Sequence, residues 1–246
     1  MMASMKSALK ILILDNTRDA SSFGSPNLFA LALRTAPRGS EILVRRAPDL
    51  DFDPGTRFDA VLVSGSITSC LPPYEKWVQR FDEYLIDRIQ AKTPVLGVCY
   101  GHQSLARCLF RMRGLEPALC KSPKPEVGWQ TMRVTGDSEL FRGLGPEFTS
   151  YQSHYEEVGA LPPGTRLLAE STRCRVQAFE VEGAPVFGIQ FHPEHGPEHA
   201  EQAMKQKLEK GERGDWILHP GRSRELFDET VGNTIFGNFF KLAQSR

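Results

Sequence analysis

The chain of 246 residues has no apolar run close to the ~18 residues that a membrane helix needs. Near its start the run from Ile11 to Leu14 stops at Asp15, too short for a secretory signal peptide. It has no charge of one sign in excess, since 30 Lys and Arg balance 30 Asp and Glu. That balance gives no reason to expect nucleic acid or an anionic membrane as a partner. The five cysteines (Cys70, Cys99, Cys108, Cys120 and Cys174) are odd in number and form no C-x-x-C pair. This argues against a disulfide framework or a zinc ribbon, and for a reducing, cytoplasmic setting. Missing too are a G-x-x-x-x-G-K-[ST] loop and a G-x-G-x-x-G turn between strand and helix, so no nucleotide chemistry and no cofactor is expected. There is no internal repeat, low-complexity tract or linker, so residues 1–246 are read as a single domain.

What is there reads as an α/β protein. Short apolar runs at Leu9–Leu14, Ile42–Val44, Phe58–Val63 and Pro94–Val98 have the length of buried strands. Between the last two, Tyr74–Gln90 places Trp77, Phe81, Leu85 and Ile89 on one helix face. Strand, helix, strand in this order predicts a mostly parallel central sheet with helices on both faces, a three-layer, flavodoxin-like arrangement. The second half is richer in strands, at Gln130–Val134, Phe148–His154, Thr165–Glu170, Arg175–Val181 and Val186–Phe191, which predicts a smaller antiparallel region. Helical stripes follow over Glu198–Lys210 and Glu225–Leu242, within a C-terminal segment 198–246, with a loop at Gly211–Gly221 between them.

The chemistry is concentrated at one strand end. Val95-Leu96-Gly97-Val98-Cys99-Tyr100-Gly101 runs from an apolar strand into a G-x-C-x-G turn and then a helical pattern. This is a nucleophile elbow with sulfur in place of the serine oxygen, its glycines permitting a tight turn. The elbow sets Cys99 at a helix N-terminus, whose positive end favours the thiolate that attacks carbonyls. Downstream, Gly188-Ile189-Gln190-Phe191-His192-Pro193-Glu194 ends a strand with a histidine and, two residues on, a carboxylate. A thiol nucleophile needs a base, and the base needs an acceptor to fix its tautomer. The residues nominated are Cys99, His192 and Glu194.

Taken together, Gly97-Val-Cys-Tyr-Gly-His-Gln103 and Phe191-His-Pro-Glu194 resemble the class I (triad-type) glutamine amidotransferase domain, over a motif-bearing core of about residues 9–195. The turn Ser64-Gly65-Ser66 makes the chain similar to stand-alone amidotransferase-like proteins and γ-glutamyl peptidases. The resemblance implies that Cys99 attacks the side-chain amide of glutamine and forms a γ-glutamyl thioester. It implies an oxyanion hole from the N–H groups of Tyr100 and Gly65, with Ser66 beside it, and a substrate contact from Gln103. It further implies that Lys121–Trp129, with Glu126, Gly128 and Trp129, closes over glutamine, and that His154 in Ser153-His154-Tyr155-Glu156-Glu157-Val158 borders its α-amino and α-carboxylate groups.

Departures from the family pattern are the single glycine of the Ser64-Gly65-Ser66 turn and Cys108–Gly114 where a Gly-Gly pair is usual. His192, His195 and His199 have ligand-like spacing, but Pro193 and Pro197 interrupt a helix there and no cysteine or aspartate completes a shell, so no metal is expected. His102 is read as structural. The expected substrate is glutamine or another γ-glutamyl compound, with a synthetase or acceptor enzyme as a possible partner. The alternatives are a self-sufficient hydrolase of γ-glutamyl peptides and a catalytically idle binding module. The loop at residues 15–26, on the carboxyl edge of the sheet, is expected to shape the leaving-group side or to dock a partner.

Overall fold

The computed structural model describes residues 8–18, 25–52 and 55–246. The expectation for the loop at residues 15–26 falls mainly on residues 19–24, which lie outside the described residues. The first half contains β1 (Lys10–Asp15), α1 (Pro26–Thr35), β2 (Glu41–Arg46), β3 (Ala60–Val63), α2 (Val78–Gln90), β4 (Val95–Val98) and α3 (Tyr100–Arg111). The second half contains β5 (Leu119–Val134), β6 (Glu147–Val158), β7 (Thr165–Glu170), β8 (Ala178–Val181) and β9 (Val186–Ile189). It closes with α4 (Pro197–Glu209), β10 (Ile217–Leu218), α5 (Ser223–Leu226) and α6 (Glu229–Gln244).

Among the described residues these strands form one ten-stranded sheet in the order β10-β5-β7-β8-β9-β4-β3-β1-β2, with β6 paired to β5 off that path. From β2 to β9 every neighbour is parallel. Beyond β9 the pairs to β8, β7, β5 and β6 are antiparallel. The parallel strands are buried on both faces, which is why they read as continuous apolar runs. Alternation along β1 sorts the core into two layers. Ile11 and Ile13 face the layer that includes Leu31 of α1 and Phe236 and Phe239 of α6. Leu12 and Leu14 face the layer that includes Phe81 of α2 and Leu105 of α3.

Several expectations are corrected. Strand β5 begins eleven residues before Gln130, at Leu119. Pro123 and Pro125 hide it in the sequence, and they sit where the β5–β6 register shifts between Lys121 and Glu126. The helix expected from Glu225 is split. Asp228 caps α6 by accepting from the Thr230 N–H at 2.9 Å, and Phe227 leaves the stripe to pack on Trp129 at 6.0 Å. The loop expected at Gly211–Gly221 contains β10, which pairs parallel to Val127 and Gly128.

Helix α3 is fastened to α2 by a buried ion pair. Arg107 donates to both oxygens of Asp82, at 2.8 and 2.6 Å, and Arg111 donates to the same carboxylate at 2.5 Å. The side chains of Arg107 and Asp82 are 0% and 3% exposed, so neither charge can fall back on water. Asp82→Ala should therefore strand a buried guanidinium and cost about 3–5 kcal/mol, read from urea unfolding. A loss below about 1 kcal/mol, the range of surface pairs, would contradict this account.

Candidate active site

The turn between β4 and α3 holds Cys99 at φ 51°, ψ −104°, a left-handed conformation that is costly for a side chain with a Cβ. The glycines on either side make it possible. A Cβ on Gly97 would lie 2.5 Å from the Gly101 carbonyl carbon, and one on Gly101 would lie 2.4 Å from the Val63 oxygen. Only bare backbone lets β3, β4 and α3 approach this closely. The Cys99 N–H donates to Ile189 O at 2.8 Å, fixing the turn to the end of β9 as well.

Just past β9, the His192 N–H donates to Tyr151 O at 2.8 Å, so β6 sets where the imidazole stands. Its Nδ1 meets Glu194 Oε1 at 2.7 Å, and the Cys99 thiol is a hydrogen-bond partner of the same ring. With Nδ1 committed to Glu194, Nε2 is the nitrogen left for sulfur. Gly65 closes the cluster, since a Cβ there would lie 3.0 Å from His192 Cε1 and 3.5 Å from Cys99 Cβ. Burial disfavours the imidazolium, but the Glu194 carboxylate and the Cys99 sulfur outweigh it and raise His192 to about 10. Burial likewise disfavours the Glu194 carboxylate, and His192 outweighs that, lowering it to about 2. The two form a buried imidazolium–carboxylate pair.

The family model described as Glutamine amidotransferase class-I matches residues 28–209. The chain belongs to this family. Its relatives include the glutamine-hydrolysing component of GMP synthase from Ignicoccus hospitalis, 39% identical over 137 residues, which are 56% of this chain and 67% of the relative. The protein of the same name from Sulfolobus acidocaldarius is 34% identical over 60% of this chain and 73% of its own. That of Thermococcus kodakarensis is 34% identical over 48% of this chain and 55% of its own. Among solved structures, a glutamine amidotransferase from Thermotoga maritima superposes with a TM-score of 0.76 at 17% identity, covering 98% of this chain and 100% of that one. One from Methylobacillus flagellatus gives 0.73 at 20% identity, covering 96% of this chain and 95% of its own. At such identities the likeness is one of fold.

The remaining positions singled out by resemblance to the amidotransferases fall into two groups. Tyr100 opens α3 beside Cys99, where its N–H has no intrahelical acceptor. Ser66 follows Gly65 and donates to Asn16 O at 2.7 Å. Gln103, one helical turn on, donates through Nε2 to Glu156 O at 2.7 Å and to Gln190 Oε1 at 3.1 Å. These three stand with the cysteine.

The others are built into the framework. Glu126 is fully buried, and its two oxygens already meet His154, Gln177, Gln130 and Ser171 at 2.8–3.1 Å. It has neither the exposure nor a spare oxygen for a substrate ammonium group. His154 spends Nε2 on Glu126 and Nδ1 on the Glu156 carbonyl, at 2.9 and 3.2 Å. Gly128, at φ +119°, is needed because a Cβ would strike Leu218 O at 2.1 Å. Trp129 is buried and donates through Nε1 to Ser223 Oγ at 2.9 Å. His102 is buried against Phe179 at 4.9 Å, and burial lowers it to about 3, so it stays neutral.

Sequence reasoning passed over Asn16 and Glu156. The Glu156 carboxylate accepts from Ser69 Oγ and the Cys70 N–H, both at 2.6 Å, in the loop that follows Gly65. Glu156 lay within the quoted His-x-Glu-x-Val segment, and Asn16 is a polar residue at the carboxyl end of a parallel strand, where ligands bind in such sheets.

Two clusters bring metal-ligating atoms within 4.8 Å of one another, Glu126–His154–Cys174 and His192–Glu194–His195. The hydrogen bonds above already use the Glu126 and His154 atoms of the first. In the second, Glu194 is paired with His192, and His195 Nδ1 lies 2.9 Å from Asn27 Nδ2. The spacing of the three histidines shows up instead as a stack, with ring centroids 4.8 Å apart for His192–His195 and 4.1 Å for His195–His199.

The pair predicts a pH signature. Glu194, lowered from 4.5 to about 2, adds stability above 4.5 that is lost as pH falls toward 2. His192, raised from 6.5 to about 10, adds stability below 6.5 that is lost as pH rises toward 10. The unfolding free energy of wild type minus that of Glu194→Gln should therefore peak between about 4.5 and 6.5 and fall on both sides. A difference independent of pH would mean that the pair is not ionised.

Proposed function

We propose that this chain hydrolyses the side-chain amide of glutamine at Cys99 and passes the ammonia to an acceptor activated by a partner synthetase. The observation that carries the proposal is the strained cysteine, held at φ 51° between two indispensable glycines with a carboxylate-paired imidazole against its sulfur. Strain of this kind survives only where the surroundings over-determine it, and it gathers at reacting centres.

The reaction follows from the geometry. His192 takes the thiol proton at Nε2 as sulfur bonds to the amide carbon, and the amide oxygen takes up the displaced electron pair. The N–H groups of Gly65 and Tyr100 hold that oxyanion, and donors fixed in advance contribute a few kcal/mol at the transition state. The imidazolium returns its proton to the leaving nitrogen, ammonia departs, and a γ-glutamyl thioester remains. Water, deprotonated by the same imidazole, then releases glutamate and the free thiol. Glu194 keeps the ring in one tautomer and stabilises its charge. Gln103, with Nε2 committed to the protein, offers Oε1 to the substrate. Glu156, half-buried beside the Gly65 loop, supplies the negative charge that Glu126 cannot bring to the α-ammonium group. The acceptor side is supported by the relatives named as components of GMP synthase.

The purified chain, given glutamine without nucleotide, should release ammonia and accumulate a Cys99 thioester detectable by acid-quench mass spectrometry. Cys99→Ala should abolish both. His192→Ala should lower kcat at least tenfold more than Glu194→Gln does, because the base matters more than the group that orients it. Covalent labelling at Cys70, Cys108, Cys120 or Cys174 instead would overturn the assignment. Faster turnover of a γ-glutamyl dipeptide than of glutamine would replace the amidotransferase reading with that of a peptidase.

A further inference from the structure

We infer that Asn16 is a positioning residue that aims the Gly65 N–H at the Cys99 reaction centre. The inference rests on the oxyanion role proposed above for Gly65. Asn16 follows directly on β1, is fully buried, and grips the Ser64–Gly65–Ser66 turn at three points. Its N–H donates to Ser64 Oγ at 2.9 Å, its side-chain Nδ2 donates to Ser64 O at 2.8 Å, and its own carbonyl accepts from Ser66 Oγ at 2.7 Å. Ser66 Oγ in turn accepts from the Thr68 N–H at 3.0 Å, so the segment beyond the turn is tied into the same set.

The bond from Nδ2 to Ser64 O decides the direction of a different atom. Ser64 C=O and Gly65 N–H belong to one planar trans peptide, in which the oxygen and the hydrogen point opposite ways. Strand β3 lies between β1 and β4. With the oxygen drawn toward Asn16 at the end of β1, the Gly65 N–H must point toward the β4 side, where Cys99 stands. Rotating that peptide would withdraw the N–H from the site and leave the Ser64 carbonyl there, an acceptor facing a developing anion. Such a turn has little else to resist rotation, because Gly65 tolerates either backbone conformation. The two backbone-anchored contacts of Asn16 reach Ser64 and Ser66 through their side chains and leave the peptide plane free. The side-chain amide alone holds the plane.

The test compares two reactions at the same sulfur in Asn16→Ala. Amide hydrolysis, and capture of the γ-aldehyde of glutamate as a thiohemiacetal, both place negative charge on oxygen. Alkylation by iodoacetamide forms a bond from sulfur to a saturated carbon and expels iodide, with no oxyanion. The variant should lose about ten- to hundredfold in kcat, with KM within about threefold, and should bind the aldehyde correspondingly more weakly. Its alkylation rate should stay within twofold of wild type. Should Asn16→Ala fail to fold, Asn16→Leu, nearly isosteric and equally unable to donate, takes its place. An unchanged kcat overturns the inference, and so does an equal loss in alkylation, which would make Asn16 a general packing residue. If wild type itself turns over no glutamine, the functional reading fails instead. The inference is then decided by the crystal structure of the variant, where a Ser64–Gly65 peptide still oriented as in wild type overturns it.

Discussion

Everything at the site depends on how closely the α3 backbone approaches the two strands beneath it. Gly101 has no room for a side chain against Val63, and Gly97 has none against Gly101. With that contact made, the chain has one path from β4 into α3, and it passes through a left-handed Cys99. The conformational cost, of order 1–3 kcal/mol, is offset by fastenings elsewhere on the same elements. The Cys99 N–H is tied to β9, and the far side of α3 is tied to α2 through Arg107 and Asp82. The cysteine is thus strained because its neighbours are rigid.

Parallel pairing then explains how residues distant in sequence meet. Strands β1, β3, β4 and β9 are consecutive neighbours running the same way, so their carboxyl ends lie side by side. Asn16, Ser64–Gly65, Cys99 and the segment leading to His192 each follow one of those ends. Strand β6 arrives from the antiparallel region and contributes differently. It holds the His192 backbone through Tyr151 and the Gly65 loop through Glu156. The parallel half supplies the reacting groups, and the antiparallel half fixes their spacing.

This division accounts for what was legible in the sequence. The cysteine elbow and His-Pro-Glu were readable because each is a local pattern, set by sterics within a few residues. The parallel strands were readable because burial on both faces leaves an unbroken apolar run. Strand β7 was read over its full extent, Thr165–Glu170. Glu126 and His154 were misplaced for a reason that local pattern cannot supply. A carboxylate on β5 looks solvated until the β5–β6 register opposes it to His154. Two prolines concealed that register. Asn16 was missed because its partners lie 48 residues or more away, across a strand pairing. The two-residue β10 is too short to announce itself, and it exists because Gly128 lets Leu218 come close.

The protein contains two buried histidine–carboxylate pairs of nearly equal length, His192–Glu194 at 2.7 Å and His154–Glu126 at 2.9 Å. Distance therefore does not separate a reacting pair from a framework pair. The difference lies on the far side of each ring and each carboxylate. The second nitrogen of His154 meets a backbone carbonyl, and Glu126 is saturated by Gln177, Gln130 and Ser171. No proton can leave that network without breaking a bond that nothing replaces, so it holds β5, β6 and the Ser171 turn together. The second nitrogen of His192 meets a thiol, which can give up a proton and then bond to carbon. Glu194 keeps one buried oxygen without a protein donor, so its charge is held by the imidazole almost alone. A pair with one loose end can cycle a proton, and a pair with none can only bind.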